Sequence, residues 1–209
     1  MLDTYPTVFI VDDDASVRDA LKRLIRSVGL YVELFGSAAD FLRWPRAEVP
    51  SCLVLDVRLP GISGLDFQRQ LAAANILLPI IFITAHGDIP MSVRAMRAGA
   101  IDFLTKPFRD QDLLDSIHVA LARDHARLNR EAQIAVLRKR LDSLTRRERE
   151  VITMVVSGMP NKLIAAHIGA AENTVKVHRS RAMEKMQANS LAELVKMIER
   201  LSPPIVRAS

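Results

Sequence analysis

Within its first 107 residues this chain alternates five short apolar runs with longer amphipathic stretches, and few architectures accept that pattern. The runs at 8–11, 31–35, 52–55, 80–84 and 101–104 read as strands. Between them, 15–28, 37–43, 63–74 and 91–98 carry apolar residues at helical spacing. The first, third and fourth runs are almost unbroken Val, Ile, Leu and Phe, the composition of parallel strands covered by helices on both faces. Gly29 and Gly99 stand where left-handed helix C-caps are wanted, and Pro60, Pro79 and Pro107 punctuate loops. The expected fold of this part is α/β, a doubly wound five-stranded parallel sheet of strand order 2-1-3-4-5.

After Pro107 the character changes, because no Gly or Pro occurs from 108 to 157. Leu114, Leu121, Leu128 and Ala135 recur at seven-residue spacing, with Ile117, Leu137, Leu141 and Leu144 in partial support. The last helix of the α/β unit is therefore expected to continue as a helical linker over 123–142. The pattern leaves open whether its apolar stripe seats a second helix in a short coiled coil or packs on its own domain. From 143 to 203 the expectation is an all-α unit of four short helices. Thr145 with Glu148, and Ser190 with Glu193, form capping boxes that mark helix starts. Gly158 and Pro160 end the first helix, 161–168 forms a second, Gly169-Ala170-Ala171 a tight turn, and 172–187 a third. A short helix, a Gly-containing turn and a longer helix make helix-turn-helix organisation.

Charge divides the chain at the same place. Residues 1–122 hold 12 Lys+Arg against 15 Asp+Glu, net −3, whereas 123–209 hold 17 against 9, net +8. A basic half suits a polyanion, either nucleic acid or an anionic membrane surface. No helix there has a broad Trp, Phe and Leu face, which disfavours the membrane. With 49% hydrophobic and 25% charged residues, disordered and collagen-like classes are excluded. The lone Cys52 permits neither an internal disulfide nor a Cys-based zinc site, and no HExxH, Walker A or Rossmann glycine pattern occurs. The start of the chain lacks secretory-signal character, and the longest apolar stretch, 76–85, is broken by Pro79 and too short for a bilayer. A soluble cytoplasmic protein is expected.

The chemistry gathers at strand ends. Asp12, Asp13 and Asp14 follow the first strand and Asp56 ends the third. In the expected strand order those two strands are neighbours at the switch point, so their carboxyl ends share the ligand crevice. Like charges that close raise one another's pKa unless a cation compensates, and a hard oxygen cluster suits Mg²⁺. Asp14 reads as a helix N-cap. Thr84 ends the fourth strand and Lys106 follows the fifth, adding a hydroxyl and an ammonium to the same edge. That constellation suits phosphoryl transfer onto Asp56. His86 is either a residue that tunes the site or a plain loop histidine.

On the third helix of the basic unit, Val175, His178, Ala182 and Met186 share one face at 100° per residue, the spacing of a core stripe. Asn173, Lys176, Val177, Ser180, Arg181 and Glu184 lie opposite, with Arg179 at the edge. Such a helix can both pack and read a major groove, Lys and Arg toward guanine or phosphate and Val toward a thymine methyl.

Val11-Asp12-Asp13, Leu55-Asp56, Pro60-Gly61, Thr84-Ala85 and Lys106-Pro107-Phe108 together resemble the receiver domain of bacterial two-component response regulators, over residues 5–122. The resemblance implies a flavodoxin-like sheet, Asp56 as phosphoacceptor, and Mg²⁺ held by Asp12, Asp13, Asp56 and the backbone carbonyl of Arg58. It puts Thr84 and Phe103 at switch positions and Lys106 at the phosphoryl-pairing position. Phe103 stands where many relatives carry Tyr. Leu144-Thr145-Arg146-Arg147-Glu148, Asn161-Lys162-Leu163-Ile164-Ala165 and Thr174-Val175-Lys176-Val177-His178 resemble the LuxR/NarL-type helix-turn-helix, and the whole chain resembles a FixJ-type response regulator. For DNA contact this implies Lys162, Thr174, Lys176 and Val177, with Arg179, Ser180 and Arg181 further along the helix. Its implied partners are a sensor histidine kinase, double-stranded DNA at paired half-sites, RNA polymerase, and a second copy of the chain on phosphorylation. Ala171 departs from the family at the recognition-helix N-cap, where relatives commonly have Ser. The loss costs about 1 kcal/mol locally, so the helix is expected to start later or to lean on tertiary packing. Two rivals stay open, a phosphotransferase or phosphatase using the same aspartates, and a constitutive DNA-binding or scaffold protein that is never phosphorylated.

Overall fold

The computed structural model describes residues 5–201, so residues 202 and 203 of the expected second domain lie outside the described residues. The chain divides into two compact units between Asn129 and Arg130. The first contains β1 (Thr7–Val11), β2 (Tyr31–Phe35), β3 (Ser51–Asp56), the two-residue β4 (Arg58–Leu59) and β5 (Ile62–Ser63), β6 (Ile80–Thr84) and β7 (Asp102–Thr105). Its five longer strands are parallel and lie in the order β2-β1-β3-β6-β7, the expected doubly wound arrangement.

Side chains alternate across a strand, so the apolar runs serve two cores at once. Val8, Ile10, Val54, Ile81 and Ile83 join Leu21 and Ile25 of α1 (Ala15–Ser27) and Leu113 and Ile117 of α5 (Asp110–Asp142) on one face. Phe9, Val11, Leu53, Leu55 and Phe82 join Phe41 of α2 (Ala38–Arg43), Phe67 and Leu71 of α3 (Gly64–Ala73) and Ala95 of α4 (Ile89–Arg97) on the other. Each fully buried side chain of this kind contributes about 1.5–3 kcal/mol. This two-sided burial is why β1, β3 and β6 show no polar alternation.

Local capping sets the helix starts. Asp14 accepts the N–H groups of Ser16 and Val17 at the head of α1, as expected. The head of α4 lies two residues before the expected 91, because Asp88 accepts the Met91 N–H at 2.7 Å and Pro90 falls in the first turn, where a missing N–H is harmless. β7 begins one residue after the expected 101. The loop expected around Pro60 contains the β4–β5 hairpin. Pro60 and Gly61 turn it, Gly61 at φ 83° in the second central position that requires a positive φ.

In the second unit the last turns of α5 are followed by α6 (Arg146–Val156), α7 (Asn161–Ile168), α8 (Glu172–Met186) and α9 (Leu191–Leu201). Two small cores hold them, one around Ile152, Ala182, Met186 and Leu194, the other around Val151, Val155, Ile164 and Val175. Both halves of the Thr145–Glu148 box form, with the Glu148 N–H on Thr145 Oγ1 at 3.3 Å and the Thr145 N–H on Glu148 Oε2 at 2.8 Å. At α9 the box is altered. Ser190 caps the Glu193 N–H, but the Glu193 carboxylate takes the N–H of Asn189. α8 begins directly after the uncapped Ala171, so the expected later start does not occur. Burial of Val175, Ala182 and Met186 replaces the missing cap. The helix ends at Met186, one residue short of expectation, with Gln187 left-handed at φ 56°. The seven-residue run does not form one exposed seam. Leu114 and Leu121 are buried, Ala135 is exposed, and Leu141 and Leu144 pack in the second unit's core.

Candidate functional site

β1 and β3 pair in register with Val11 beside Leu55, so Asp12 and Asp56, the next residue of each chain segment, leave the sheet side by side. Carboxylate oxygens of Asp12, Asp13 and Asp56 lie within 4.8 Å of one another, Asp12 and Asp56 buried and Asp13 exposed. Lys106 extends back from the end of β7 and sets its Nζ 2.9 Å from Asp12 Oδ2 and 3.9 Å from Asp56 Oδ2. Asp12 is held at two further atoms: its Oδ1 accepts the Asp14 N–H at 2.9 Å, and its main-chain carbonyl accepts from Arg18 Nη1 at 2.7 Å. Asp56 is held more loosely, with the Arg58 N–H 3.4 Å from its Oδ1. A Cβ on Gly64 would stand 2.5 Å from the Asp56 carbonyl oxygen, so only glycine lets α3 start against the end of β3.

Burial pushes the Asp56 carboxyl above its ordinary value; Lys106 pulls it back, the Asp12 carboxylate pushes it up again, and the N–H groups of Arg58 and Val57 lower it. Three carboxylates facing one ammonium leave uncompensated negative charge. An all-oxygen donor set of that charge fits a hard divalent cation such as Mg²⁺.

Thr84, buried at the end of β6, accepts the His86 N–H on Oγ1 at 3.2 Å. Phe103 lies opposite Phe82 in register, ring centroids 6.1 Å apart. Gly87 closes over both Thr84 and Phe103. A Cβ there would lie 2.9 Å from Phe103 Cε1 and 3.3 Å from Thr84 Cγ2. His86 is exposed. Sequence reasoning missed Arg18, which turns back from α1 onto the Asp12 carbonyl six residues earlier, and the reason for Gly87, which depends on the approach of β7 to the end of β6.

In the second unit the expected inner stripe of α8 is buried at Val175, Ala182 and Met186 and half-buried at His178. Thr174, Lys176, Val177, Ser180 and Arg181 are exposed on α8, as is Lys162 on α7. Arg179 lies at the edge of the helix, as the wheel expects. It is half-buried, hydrogen-bonded to Asn161 Oδ1 at 3.4 Å, and lines a cleft of about 470 Å³ with Lys176, Ser180 and Asn189.

Lys185 ties α8 to the head of α6. Its Nζ lies 2.6 Å from the buried carboxylate of Glu148. That hydrogen bond, with the Thr145 N–H, holds the Glu148 carboxyl below the usual range. A folded-state pKa below the unfolded one contributes stability that is present above the unfolded value and lost as pH falls through the folded one, here on the acid side of the ordinary Glu range. Glu148→Gln is expected to destabilise the second unit by about 1–3 kcal/mol at neutral pH and to flatten the acid limb of its stability curve. Denaturant melts across pH check this, and unchanged stability at neutral pH would remove the pair's role.

Comparison with known proteins agrees with these geometries. Residues 8–118 match the response regulator receiver domain model, and 142–198 match that of the bacterial regulatory proteins of the luxR family. Nodulation protein W of Bradyrhizobium diazoefficiens is 54% identical, over 95% of this chain and 87% of its own. Transcriptional regulatory protein FixJ of the same organism is 40% identical, over 92% and 94%. Among solved structures, response regulator StyR is 50% identical with a TM-score of 0.83, covering 94% of this chain and 99% of its own. Full-length FixJ from B. japonicum is 38% identical with a TM-score of 0.56, over 95% and 98%. The chain therefore belongs to the two-component response regulators, with a receiver domain followed by a LuxR-type DNA-binding domain.

Proposed function

We propose that a sensor histidine kinase phosphorylates Asp56 and that this switches a cytoplasmic, sequence-specific transcriptional activator onto DNA. Functional boundaries at 5–122, 123–142 and 143–203 belong to the same reading. The observation that carries it is the Asp12, Asp13 and Asp56 cluster facing Lys106, in a chain whose other half is a basic helix-turn-helix.

Asp12 already spends both carboxylate oxygens, on the Asp14 N–H and on Lys106, whereas Asp56 keeps Oδ2 without a close hydrogen bond. An Asp56 oxygen attacks the phosphorus of the donor phosphohistidine, the P–N bond breaks, and its electron pair leaves with the imidazole nitrogen. Asp12, Asp13, Asp56 and the Arg58 carbonyl would hold Mg²⁺, which when bound screens the incoming phosphoryl charge. Lys106 pairs with a phosphoryl oxygen, and Thr84 turns its hydroxyl from His86 to another. The receiver performs only its own phosphorylation and dephosphorylation and turns over no other substrate.

A groove of about 360 Å³ beside Lys106, lined by Val17, Ala20 and Leu24 of α1 and by Pro107 and Phe108, is where the kinase would dock. α4 presents Ile89, 80% exposed, with Val93 and Met96 at helical spacing beyond it, an apolar stripe suited to a second copy after phosphorylation. Paired DNA-binding domains would then engage half-sites about one helical turn apart and contact RNA polymerase. Among the described residues no helix is long and apolar enough to cross a membrane.

Lys176→Ala and Arg181→Ala are each expected to weaken specific binding by about 1–3 kcal/mol, whereas Lys162→Ala weakens all sequences alike and flattens the salt dependence. Titrations on cognate and scrambled duplexes at several salt concentrations separate these effects; equal losses on both duplexes for Lys176→Ala would contradict a base contact. Mapping of bound sites and transcripts in cells carrying wild type or Asp56→Asn tests the whole reading. It predicts discrete sites, activated genes beside them, and loss of both in the variant. Equal occupancy and transcription in the two strains would contradict it.

A further inference from the structure

We propose that Glu172 and Lys176 act together as the reader of one G·C base pair, the carboxylate accepting from the cytosine amino group and the ammonium donating to guanine. The inference rests on the reading of α8 as the helix that enters the major groove, and it adds an acidic residue to a set otherwise basic or neutral.

Glu172 is the first residue of α8 and is exposed. The leading end of a recognition helix is the part that reaches base edges. Its Oε1 lies 3.4 Å from Lys176 Nζ, one helical turn on, so an acceptor and a donor are presented side by side. Lys176 also lines the open cleft with Ser180 and Arg179, on the exposed side of the helix.

A carboxylate at the tip of a helix that approaches DNA is repelled by phosphates whatever the sequence. The repulsion is offset only where the carboxylate meets a hydrogen-bond donor. In the major groove a G·C pair presents N7 and O6 of guanine as acceptors and N4–H₂ of cytosine as the donor beside them. An ammonium and a carboxylate held 3.4 Å apart match that edge, Lys176 on the guanine oxygen and nitrogen, Glu172 on the cytosine amino group. An A·T pair interposes a donor between its two acceptors, so the ammonium loses one partner and the pair of side chains no longer fits. Glu172 thus raises discrimination and lowers affinity for every site that lacks the matching donor.

The competing account gives Glu172 a purely local role, complementing the helix dipole and pairing with Lys176 on the helix surface. The two accounts differ in base preference. Full-length wild type, Glu172→Ala, Glu172→Gln and Lys176→Ala, each treated with phosphoramidate and Mg²⁺, would select bound duplexes from a random pool. Titration on the selected site and on its single-pair substitutions follows. Glu172→Ala and Lys176→Ala are expected to lose about tenfold or more of the G·C preference at the same position. Glu172→Ala should bind duplexes with A·T there at least as tightly as wild type, and Glu172→Gln, which keeps an acceptor oxygen, should fall between. If Glu172→Ala keeps every wild-type preference, or loses one at a different position from Lys176→Ala, the paired reading is overturned while α8 remains the recognition helix. If wild type itself selects no sequence, the proposed function fails and this inference with it.

Discussion

Given Mg²⁺ and a small phosphoramidate or acyl-phosphate donor, the wild-type chain is expected to gain the mass of one phosphoryl group and Asp56→Asn to gain none. The three carboxylates of the site are not equivalent. Asp12 is fixed by Lys106, by the Asp14 N–H and, through its carbonyl, by Arg18. Asp13 is exposed, beyond the burial that surrounds its two neighbours. Asp56 combines burial, a raised pKa and an oxygen 3.9 Å from the Lys106 ammonium, the geometry of a nucleophile whose product charge has a waiting partner. Asn keeps the shape and the contact with the Arg58 N–H but removes the nucleophilic oxygen anion. Asp13→Ala should slow incorporation by weakening the cation site, and the loss should be partly recovered at higher Mg²⁺. Intact-mass measurement reads all three proteins, and equal incorporation by wild type and Asp56→Asn would remove Asp56 as the acceptor.

Thr84→Ala is expected to accept phosphate and yet fail to dimerise. Thr84 is fully buried at the end of β6, its hydroxyl on the His86 N–H and its methyl beneath Gly87, with the Phe103 ring on the same side of that glycine. Drawing the hydroxyl toward a phosphoryl oxygen moves the 86–88 loop that leads into α4, and it opens space into which Phe103 rotates. The apolar stripe of Ile89, Val93 and Met96 lies on the helix that this loop positions. Inverting a 1:99 bias between inactive and active receivers takes about 5.5 kcal/mol of differential stabilisation. Without the Thr84 hydroxyl, the bond to the phosphoryl group no longer reaches α4. Dimer affinity of the phosphorylated variant should fall at least about tenfold, or about 1.4 kcal/mol, while its stability drops by only about 1 kcal/mol. Sedimentation at micromolar concentration reads the outcome. A phosphorylated Thr84→Ala that dimerises like wild type would take the signal away from Thr84, and a phosphorylated wild type that stays monomeric would overturn the dimer mechanism.

The α/β unit was legible because a strand buried on both faces has nowhere to put a polar residue. β1, β3 and β6 therefore stand out as apolar runs, and their order brings Asp12 and Asp56 together. The β4–β5 hairpin was not legible, since two-residue strands show no periodicity and only the Pro60-Gly61 turn marks them. Contacts across sequence distance were equally silent. Lys185 reaches Glu148 from 37 residues away, and the Asp124 carboxylate on α5 takes the Ser51 N–H at the head of β3 from 73 away. In each case one partner has a sufficient local explanation, a capping box for Glu148 and an i,i+3 pair with Arg127 for Asp124. On α8 the helical wheel separated inside from outside correctly and placed Arg179 at the edge, where it is half-buried; its hydrogen bond to Asn161 was not legible from the wheel. It also passed over Glu172, whose pairing with Lys176 depends on both side chains leaning the same way.

The central claim is that phosphorylation of Asp56 controls DNA binding, and titration of a selected duplex with the full-length chain tests it most directly. Wild type and Asp56→Asn would each be measured with and without phosphoramidate and Mg²⁺, at one salt concentration. The account predicts that the donor tightens wild-type binding at least about tenfold on paired half-sites and leaves Asp56→Asn unchanged at the weaker, untreated level. Identical affinity for wild type with and without the donor, or the same gain in Asp56→Asn, would contradict it.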